Sequence, residues 1–417
     1  MTKNCDVSTV VSLLEGADQG VVREGERLSD CVQGIRKWNA DEVDALLVEV
    51  ARIAPPPVDS AAEKLLKAGL KRLYRLAHSG QLDAHPETLG RAGNLYQQLD
   101  ATCRPRWYLL ASLAAAGQEA ELREFARLFA ADPPADHQSA STALAPLFQR
   151  ANYDPEAVFP QLLDALAFPQ AASPVLDLAN FLTRNRQVSQ HPAHQIVPRL
   201  TSLLKGVCAR LEKLEQQPID TADPHQSQHR VADSVAIAAS LCDALGLLGD
   251  EQATTALQDA MHLRHRRIRI EAAVALARLG DDDVVVVLAQ LAEYPNTRLR
   301  AIAYAEELGL LDHIDEKWQT PVATAEAELA CYLAEPQQLG AAPSDMELFD
   351  QRTLAWSSYD DPQPCYLFRY AYQFGEASYA NIGIAGPLVH AFHVDLTQLP
   401  IDDIYAIFAG WHAGPPD

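Results

Sequence analysis

The sequence predicts a mainly α-helical protein: a right-handed α-solenoid of antiparallel helix pairs followed by a small α+β module. Three observations predict it, namely apolar residues at helical spacing, a repeat of fixed length, and a change of composition near residue 319. We expect an N-terminal helical-hairpin region at 1–150, a repeat region at 151–318 and an acidic, aromatic-rich α+β module at 319–417.

Residues 1–318 are rich in strong helix formers, mainly Leu, Ala, Glu, Gln and Arg. Apolar positions recur three and four residues apart, as expected for one buried helical face; an example is the stripe Leu65, Leu66, Leu70, Leu73, Tyr74 and Leu76. Proline-containing breaks, such as those at 54–58 and 131–134, separate these segments. Short breaks between helical segments indicate antiparallel helix pairs.

The clearest internal signal is a repeat. Leu-Leu-Gly-Asp at 247–250 returns as Arg-Leu-Gly-Asp at 278–281 and, more loosely, as Gly-Leu-Leu-Asp at 309–312, so that successive aspartates lie 31 residues apart. A fixed period of this length is typical of stacked helical pairs. We therefore expect the leucines in register to line one shared seam: Leu248, Leu279 and Leu310.

A second pair of residues keeps the same register, since Arg267-Ile-Arg269 returns as Arg298-Leu-Arg300. The segment Ile268-Arg-Ile-Glu-Ala-Ala-Val-Ala-Leu-Ala-Arg-Leu-Gly-Asp281 resembles the HEAT-repeat family, in particular the short bacterial repeats first described in phycobilisome lyases. The resemblance extends over about 156–318 and is good over 230–312, whereas the C-terminal module resembles no family that we recognise. The resemblance implies a HEAT/armadillo-like solenoid that holds partner proteins.

Each residue type in the repeat has a physical role. Alanines let the helices approach closely, Leu276 and Leu279 fill the space between them, and Gly280 tolerates a positive φ at the helix end. Val284-Val-Val-Val287 favours a strand by propensity, but the repeat places it in the second helix of a unit, and we follow the repeat.

The composition changes after about residue 319. Residues 320–417 carry 13 acidic and two basic residues and 14 of the aromatic residues. Aromatic residues alternate with other types between Cys365 and Phe374, which predicts a strand, and further strands are expected at Tyr379–Ala385 and Leu388–Val394, before a short helix at 402–408.

The familiar catalytic motifs are absent, including the phosphate-binding loop and the G-x-G-x-x-G and H-E-x-x-H patterns. The glycines of Asn381–Pro387 are better explained by a bend or a close strand contact. His390 and His393 lie three apart, on opposite faces of an extended segment, which disfavours a shared metal ion. We expect no catalytic residue, metal or cofactor.

One dense basic run stands out, His262-Leu-Arg-His-Arg-Arg-Ile-Arg269. Its arginines either pair with the turn aspartates Asp250 and Asp281 and nearby acids as a ladder between units, or bind an acidic or phosphorylated segment of a partner, or bind the acidic C-terminal module. The candidate partner-binding residues are Arg264, Arg266, Arg267, Arg269 and, as a small contact site on the module, Trp356 and Tyr359.

The overall charge restricts the partners. Lys and Arg number 34 against 56 Asp and Glu, a net charge of −22, which disfavours nucleic acid and anionic membranes as partners. No apolar stretch reaches the ~18 residues that span a bilayer. Seven scattered cysteines and the absence of a signal-peptide pattern predict reduced thiols and a cytoplasmic location.

Together these observations favour a non-enzymatic scaffold for protein–protein interaction. Two alternatives remain: an enzyme or regulatory subunit with its active site in the C-terminal module, near His390, His393, Cys365 or Arg369, and a repeat enzyme of the lyase or glycosylase type.

Overall fold

The computed structural model describes residues 6–15, 25–83, 85–150, 153–216, 224–335, 338–356, 359–374, 377–392 and 394–412. The chain divides into two compact units, Met1–Ala256 and Leu257–Asp417. The first unit is helical throughout its described residues, and the second combines helices with a sheet.

The first unit is built of successive helices: α1 (Val7–Glu15), α2 (Gly25–Ile35), α3 (Ala40–Val50), α4 (Ala61–His78), α5 (Pro86–Gln98), α6 (Trp107–Ala116), α7 (Glu119–Ala131), α8 (His137–Gln149), α9 (Pro169–Arg184), α10 (Val197–Gln216) and α11 (Pro224–Leu248). The predicted stripe on α4 is confirmed, because its five leucines are fully buried and only Tyr74 is half-buried. Asn39 and Glu42 form a capping box that starts α3.

A polar network with buried Ser173, Asn180 and Ser240 joins α9 to α11 in the first unit. Ser240 on α11 donates to Asp177 at 2.6 Å and lies 2.8 Å from the Ser173 hydroxyl, while Asn180 donates to the Ser240 carbonyl at 3.1 Å. Each buried polar atom in this contact thus has a partner, as burial requires.

The helices of the second unit follow α12 (Thr254–Met261), which crosses the division between the units; they are α13 (Arg266–Arg278), α14 (Val285–Ala292), α15 (Pro295–Leu308), α16 (Pro321–Leu333) and α17 (Ile401–His412). The conflict at Val284–Val287 is resolved in favour of the repeat, since these valines end a 3₁₀ turn and begin α14. Burial of Val284 and Leu288 in the packed helices outweighs the weak strand propensity of valine.

The C-terminal part of the second unit is a four-stranded antiparallel sheet in the order β1 (Asp345–Leu354), β2 (Gln363–Phe374), β3 (Ala377–Ala385) and β4 (His390–Ala391). α16 packs on one face of the sheet and α17 on the other. The predicted mainly helical repeat followed by an α+β module is thus confirmed. The strand β1 was missed, because its residues are only exposed or half-buried and its sequence shows no regular apolar alternation.

The alternation in β2 decides which helix each side chain contacts. Tyr366, Phe368, Tyr370 and Tyr372 pack with Leu329 and its neighbours on α16, while Cys365 and Leu367 pack with Phe408 of α17. The aromatic face predicted from the sequence is therefore an interior packing face.

α16 also packs on α15. This one helix continues the helical stack on one side and covers the sheet on the other.

Two expectations from composition need correction. By its length and composition alone, Val231–Leu248 of α11 is apolar enough to cross a membrane. However, 61% of this segment is buried inside the protein, as is common for a core helix. Among the described residues, Cys31 is disulfide-bonded, whereas five cysteines form no disulfide: Cys103, Cys208, Cys242, Cys331 and Cys365. Sequence spacing does not show which cysteines meet.

Candidate functional site

The repeated turn has the same construction in the first two units of the repeat. Gly249 and Gly280 adopt φ of 69° and 89° after a helix, and Asp250 and Asp281 then cap a 3₁₀ turn by accepting from the backbone N–H two residues later. The third unit departs from this pattern, because the positive φ lies at Gly309, before Leu310, and Asp312 sits inside the turn rather than capping it.

The leucines in register have a more modest role than expected. Leu248, Leu279 and Leu310 are all half-buried at or just beyond helix ends. The space between helices is filled by Leu276, which is fully buried together with the alanines at 272, 273 and 275.

An arginine ladder joins successive helices of the second unit. Arg300 on α15 pairs with Glu271 on α13, Arg278 on α13 pairs with Glu307 on α15, and Arg298 on α15 pairs with Glu326 on α16. These acids are helix glutamates of the neighbouring helix, whereas Asp250 and Asp281 serve as caps. The predicted ladder therefore exists at Arg298 and Arg300, with acids other than the two turn aspartates.

Arg298 is the most enclosed member of this ladder, with 1% of its surface exposed. It donates to the carbonyls of Ala292 at 3.0 Å and Ala323 at 2.8 Å, and its guanidinium lies 4.5 Å from the Trp318 ring. This side chain therefore joins α15 both to the end of α14 and to the start of α16.

The arginines one unit earlier, of which Arg267 and Arg269 are equivalent to Arg298 and Arg300, behave differently. Arg264, Arg266 and Arg267 are exposed and Arg269 is half-buried, all within or just before the first turn of α13. Arg266 stacks on the Tyr294 ring at 3.6 Å, and within the described residues neither Arg267 nor Arg269 forms an ion pair. We call these four arginines the basic strip.

Comparison with known families now identifies the repeat. Residues 228–309 match the family of HEAT repeats. The matched segment contains the two turns of identical construction, the whole of α13 and α14, and the basic strip. No curated protein and no solved structure matches the chain.

Beyond the HEAT repeats, the structure separates the two aromatic residues of the predicted contact site. Trp356 packs edge-on against Phe408 of α17, with ring centroids 5.6 Å apart. Tyr359 is 48% exposed and lines a cleft of about 370 Å³ on the α16 side, with Gln319, Glu328 and Pro387. Their side chains therefore do not form one surface, and Tyr359 is the one that faces a cleft.

The polar residues considered for catalysis lie in the same module. Cys365 is buried in the core beneath α17, and this burial raises the pKa of its thiol. His390 packs edge-on against Phe392 at 5.0 Å, Arg369 is exposed on β2, and His393 lies outside the described residues. Within the described residues, no group of three metal-ligating side chains comes together.

The sequence analysis missed one basic feature. A groove between α2 and α4 in the first unit is lined by six cationic side chains drawn from Arg36 and from 64–75. The detectable signal was the spacing of the five cations within 64–75, which helical periodicity gathers on one side of α4 although apolar residues separate most of them in the sequence.

Proposed function

We propose that this protein is a non-enzymatic scaffold that binds another protein through the surface of its helical repeats. The observation that carries the proposal is the HEAT-repeat match at 228–309, because HEAT repeats generally mediate protein–protein interaction. Stacked helical pairs present an extended surface that suits this role.

The basic strip is the proposed contact with an acidic or phosphorylated segment of the partner. Cations in the first turn of a helix oppose the helix dipole, whose positive end lies there. Arg266 and Arg267 begin α13, and Arg264 lies two residues before it. An anionic segment bound at this position would interact favourably with both the arginines and the helix N-terminus.

The contrast between repeats supports this assignment. Arg298 and Arg300 are used in ion pairs that join helices, whereas Arg267 and Arg269 occupy the equivalent positions and have no such acid among the described residues. The proposal has two further parts. Tyr359 contacts the partner at its cleft, and the C-terminal module covers the last helical pair.

The pKa of Cys365 favours the scaffold over an enzyme with a thiol nucleophile in the module. Nucleophilic attack requires the thiolate, and burial holds this thiol in its neutral form.

Affinity capture tests the proposal. Immobilised full-length protein is compared with Arg264→Glu/Arg267→Glu and with the control Arg199→Glu/Lys205→Glu, whose charge change is equal and lies on exposed positions of α10. We expect mass spectrometry of a native cell extract to show partners retained by the wild type and the control and lost by the strip variant. Identical capture by all three proteins would contradict the role of the strip.

A further inference from the structure

A basic groove lies in the first unit, between α2 and α4. Its volume is about 190 Å³, and it is lined by Val32, Ala68 and six cationic residues: Arg36, Lys64, Lys67, Lys71, Arg72 and Arg75. No acidic side chain is among the lining residues, although acids outnumber bases 56 to 34 in the whole chain. A local concentration of positive charge in so acidic a protein indicates a site for anions.

The spacing of these cations is unfavourable for the free helix. Lys67 and Lys71 lie four residues apart, as do Lys71 and Arg75, so like charges are neighbours along one side of α4. Like-charge pairs at this spacing destabilise a helix. An anion bound across these cations would offset their mutual repulsion.

Two acids near these cations, Glu63 and Glu42, are engaged in helix starts. Glu63 accepts from the backbone N–H of Asp59 at 2.7 Å, and Glu42 accepts from the backbone N–H of Asn39 at 2.8 Å, so that each completes a helix start. Within the described residues, five of the lining cations form no ion pair: Arg36, Lys64, Lys67, Lys71 and Arg75.

The sixth cation is held in place. Arg72 donates from Nε to the Trp38 carbonyl at 2.7 Å, which fixes the plane of its guanidinium at the groove wall. A guanidinium oriented in this way presents a rigid fork, the geometry that matches a carboxylate.

We propose that this groove binds an extended acidic peptide segment of a partner protein, with Asp or Glu carboxylates between α2 and α4. The site is separate from the basic strip and would give the scaffold a second anchoring point.

Size and charge favour a short peptide over other anions. Lys64 and Arg75 are eleven positions apart on α4, which corresponds to roughly 16 Å of helix or about five residues of extended peptide. The net charge of −22 repels polyanions, whose charge continues beyond the groove, whereas a peptide can confine its charge to the groove.

Fluorescence anisotropy with fluorescein-labelled hexaglutamate tests this proposal on the full-length protein. We expect binding that weakens with salt, and at least about tenfold weaker binding by Lys67→Gln/Lys71→Gln, because two charge-assisted contacts are lost. The matched control Arg199→Gln/Lys205→Gln loses the same charge on exposed α10 positions and should bind as the wild type does. Circular dichroism confirms that each variant is folded.

Three results would overturn the proposal. The first is equal binding of hexaglutamate by Lys67→Gln/Lys71→Gln and the wild type, and the second is no binding of hexaglutamate at ~1 mM, which corresponds to very weak association. The third is tighter binding of inorganic phosphate or of a thymidine oligonucleotide in the groove. The variant Arg264→Gln/Arg267→Gln separates this site from the proposed function. Hexaglutamate binding should persist in that variant. Because the strip could also bind hexaglutamate, Lys67→Gln/Lys71→Gln is measured in this Arg264→Gln/Arg267→Gln background as well, and there it should abolish binding; residual binding in the combined variant would overturn the groove, whereas failure of the strip leaves this result unchanged.

Discussion

Arg298 donates from Nη1 to Oε2 of Glu326 at 2.5 Å, across the contact between α15 and α16. The same nitrogen reaches the Ala323 carbonyl near the start of α16, so one buried guanidinium both neutralises a glutamate and satisfies the helix backbone. Because α16 also covers the sheet, this pair lies where the helical stack meets the C-terminal module.

Arg298→Met should destabilise the second unit by about 3 kcal/mol, because it leaves Glu326 and three backbone carbonyls without their donor. Urea unfolding followed by tryptophan fluorescence measures the loss, with Trp318 as a probe beside the substituted residue. Arg352→Met is the control, since Arg352 pairs with Asp350 and Asp402 at the surface and should change stability little. Equal effects of the two substitutions would show that burial of Arg298 is unimportant.

Stability should depend on the protonation of His191 in the first unit. Burial, and then the neighbouring His194, lower the pKa of His191 from 6.5 to about 4. Its Nε2 lies 3.0 Å from the side-chain amide oxygen of Asn180, and its Nδ1 accepts from the backbone N–H of Ala193 at 3.1 Å. A proton on Nδ1 would remove that acceptor, so the fold selects the neutral ring.

The sign of the pH effect follows from this lowered pKa. Between pH 6.5 and about 4 the unfolded chain binds a proton at His191 and the folded chain does not, so the free energy of unfolding falls as the pH falls through this window. The stability contribution is complete above pH 6.5, and its loss levels off below about pH 4. Urea titrations of wild type and His191→Gln should show a shallower pH dependence in the variant; identical slopes would contradict a buried neutral histidine.

Gly386→Ala should destabilise the module by roughly 1–3 kcal/mol. A Cβ at this position would lie 2.6 Å from the backbone carbonyl oxygen of Pro364, which cannot move without disturbing β2. Gly206→Ala on α10 is the matched control, since open space surrounds its Cβ and alanine favours the helix. Thermal unfolding should show a lower midpoint for Gly386→Ala and an unchanged or higher midpoint for Gly206→Ala.

The glycines illustrate what the sequence could predict. The close contact expected for Asn381–Pro387 is present at Gly383, which faces Leu329, and at Gly386. The repeated caps at Asp250 and Asp281 were likewise predictable, because a turn of fixed construction needs the same residues each time.

Long-range relationships were not predictable in the same way. The acids of the arginine ladder, Glu271, Glu307 and Glu326, lie 28 or 29 residues from their arginines, not at the repeat period itself. The five cations of α4 could be located from their spacing, but their pairing with α2 could not, because Arg36 is far from them in sequence. Tertiary packing brings such residues together, and neither local propensity nor local charge density predicts which distant segments will pack against each other.

Removing the cations of the groove should stabilise α4. Lys67→Gln/Lys71→Gln relieves like-charge repulsion and is expected to increase the free energy of unfolding by roughly 0.3 kcal/mol at low salt. The gain should shrink as salt screens the wild-type repulsion. Urea unfolding at two salt concentrations measures it, and a clear loss of stability would mean that these lysines support the fold instead of serving as a site.

The repeat core should be far more sensitive at Leu276 than at Leu279. Leu276 is fully buried among the alanines of α13, so Leu276→Asp places a charge without a partner in a packed interior and should cost at least about 4 kcal/mol. Leu279 is half-buried at the C-cap, where an aspartate can reach water, so Leu279→Asp should be much milder. Chemical unfolding of the two variants compares them directly. A severe effect of Leu279→Asp together with a mild effect of Leu276→Asp would contradict this assignment. It would mean that Leu279, and not Leu276, fills the contact between neighbouring helices.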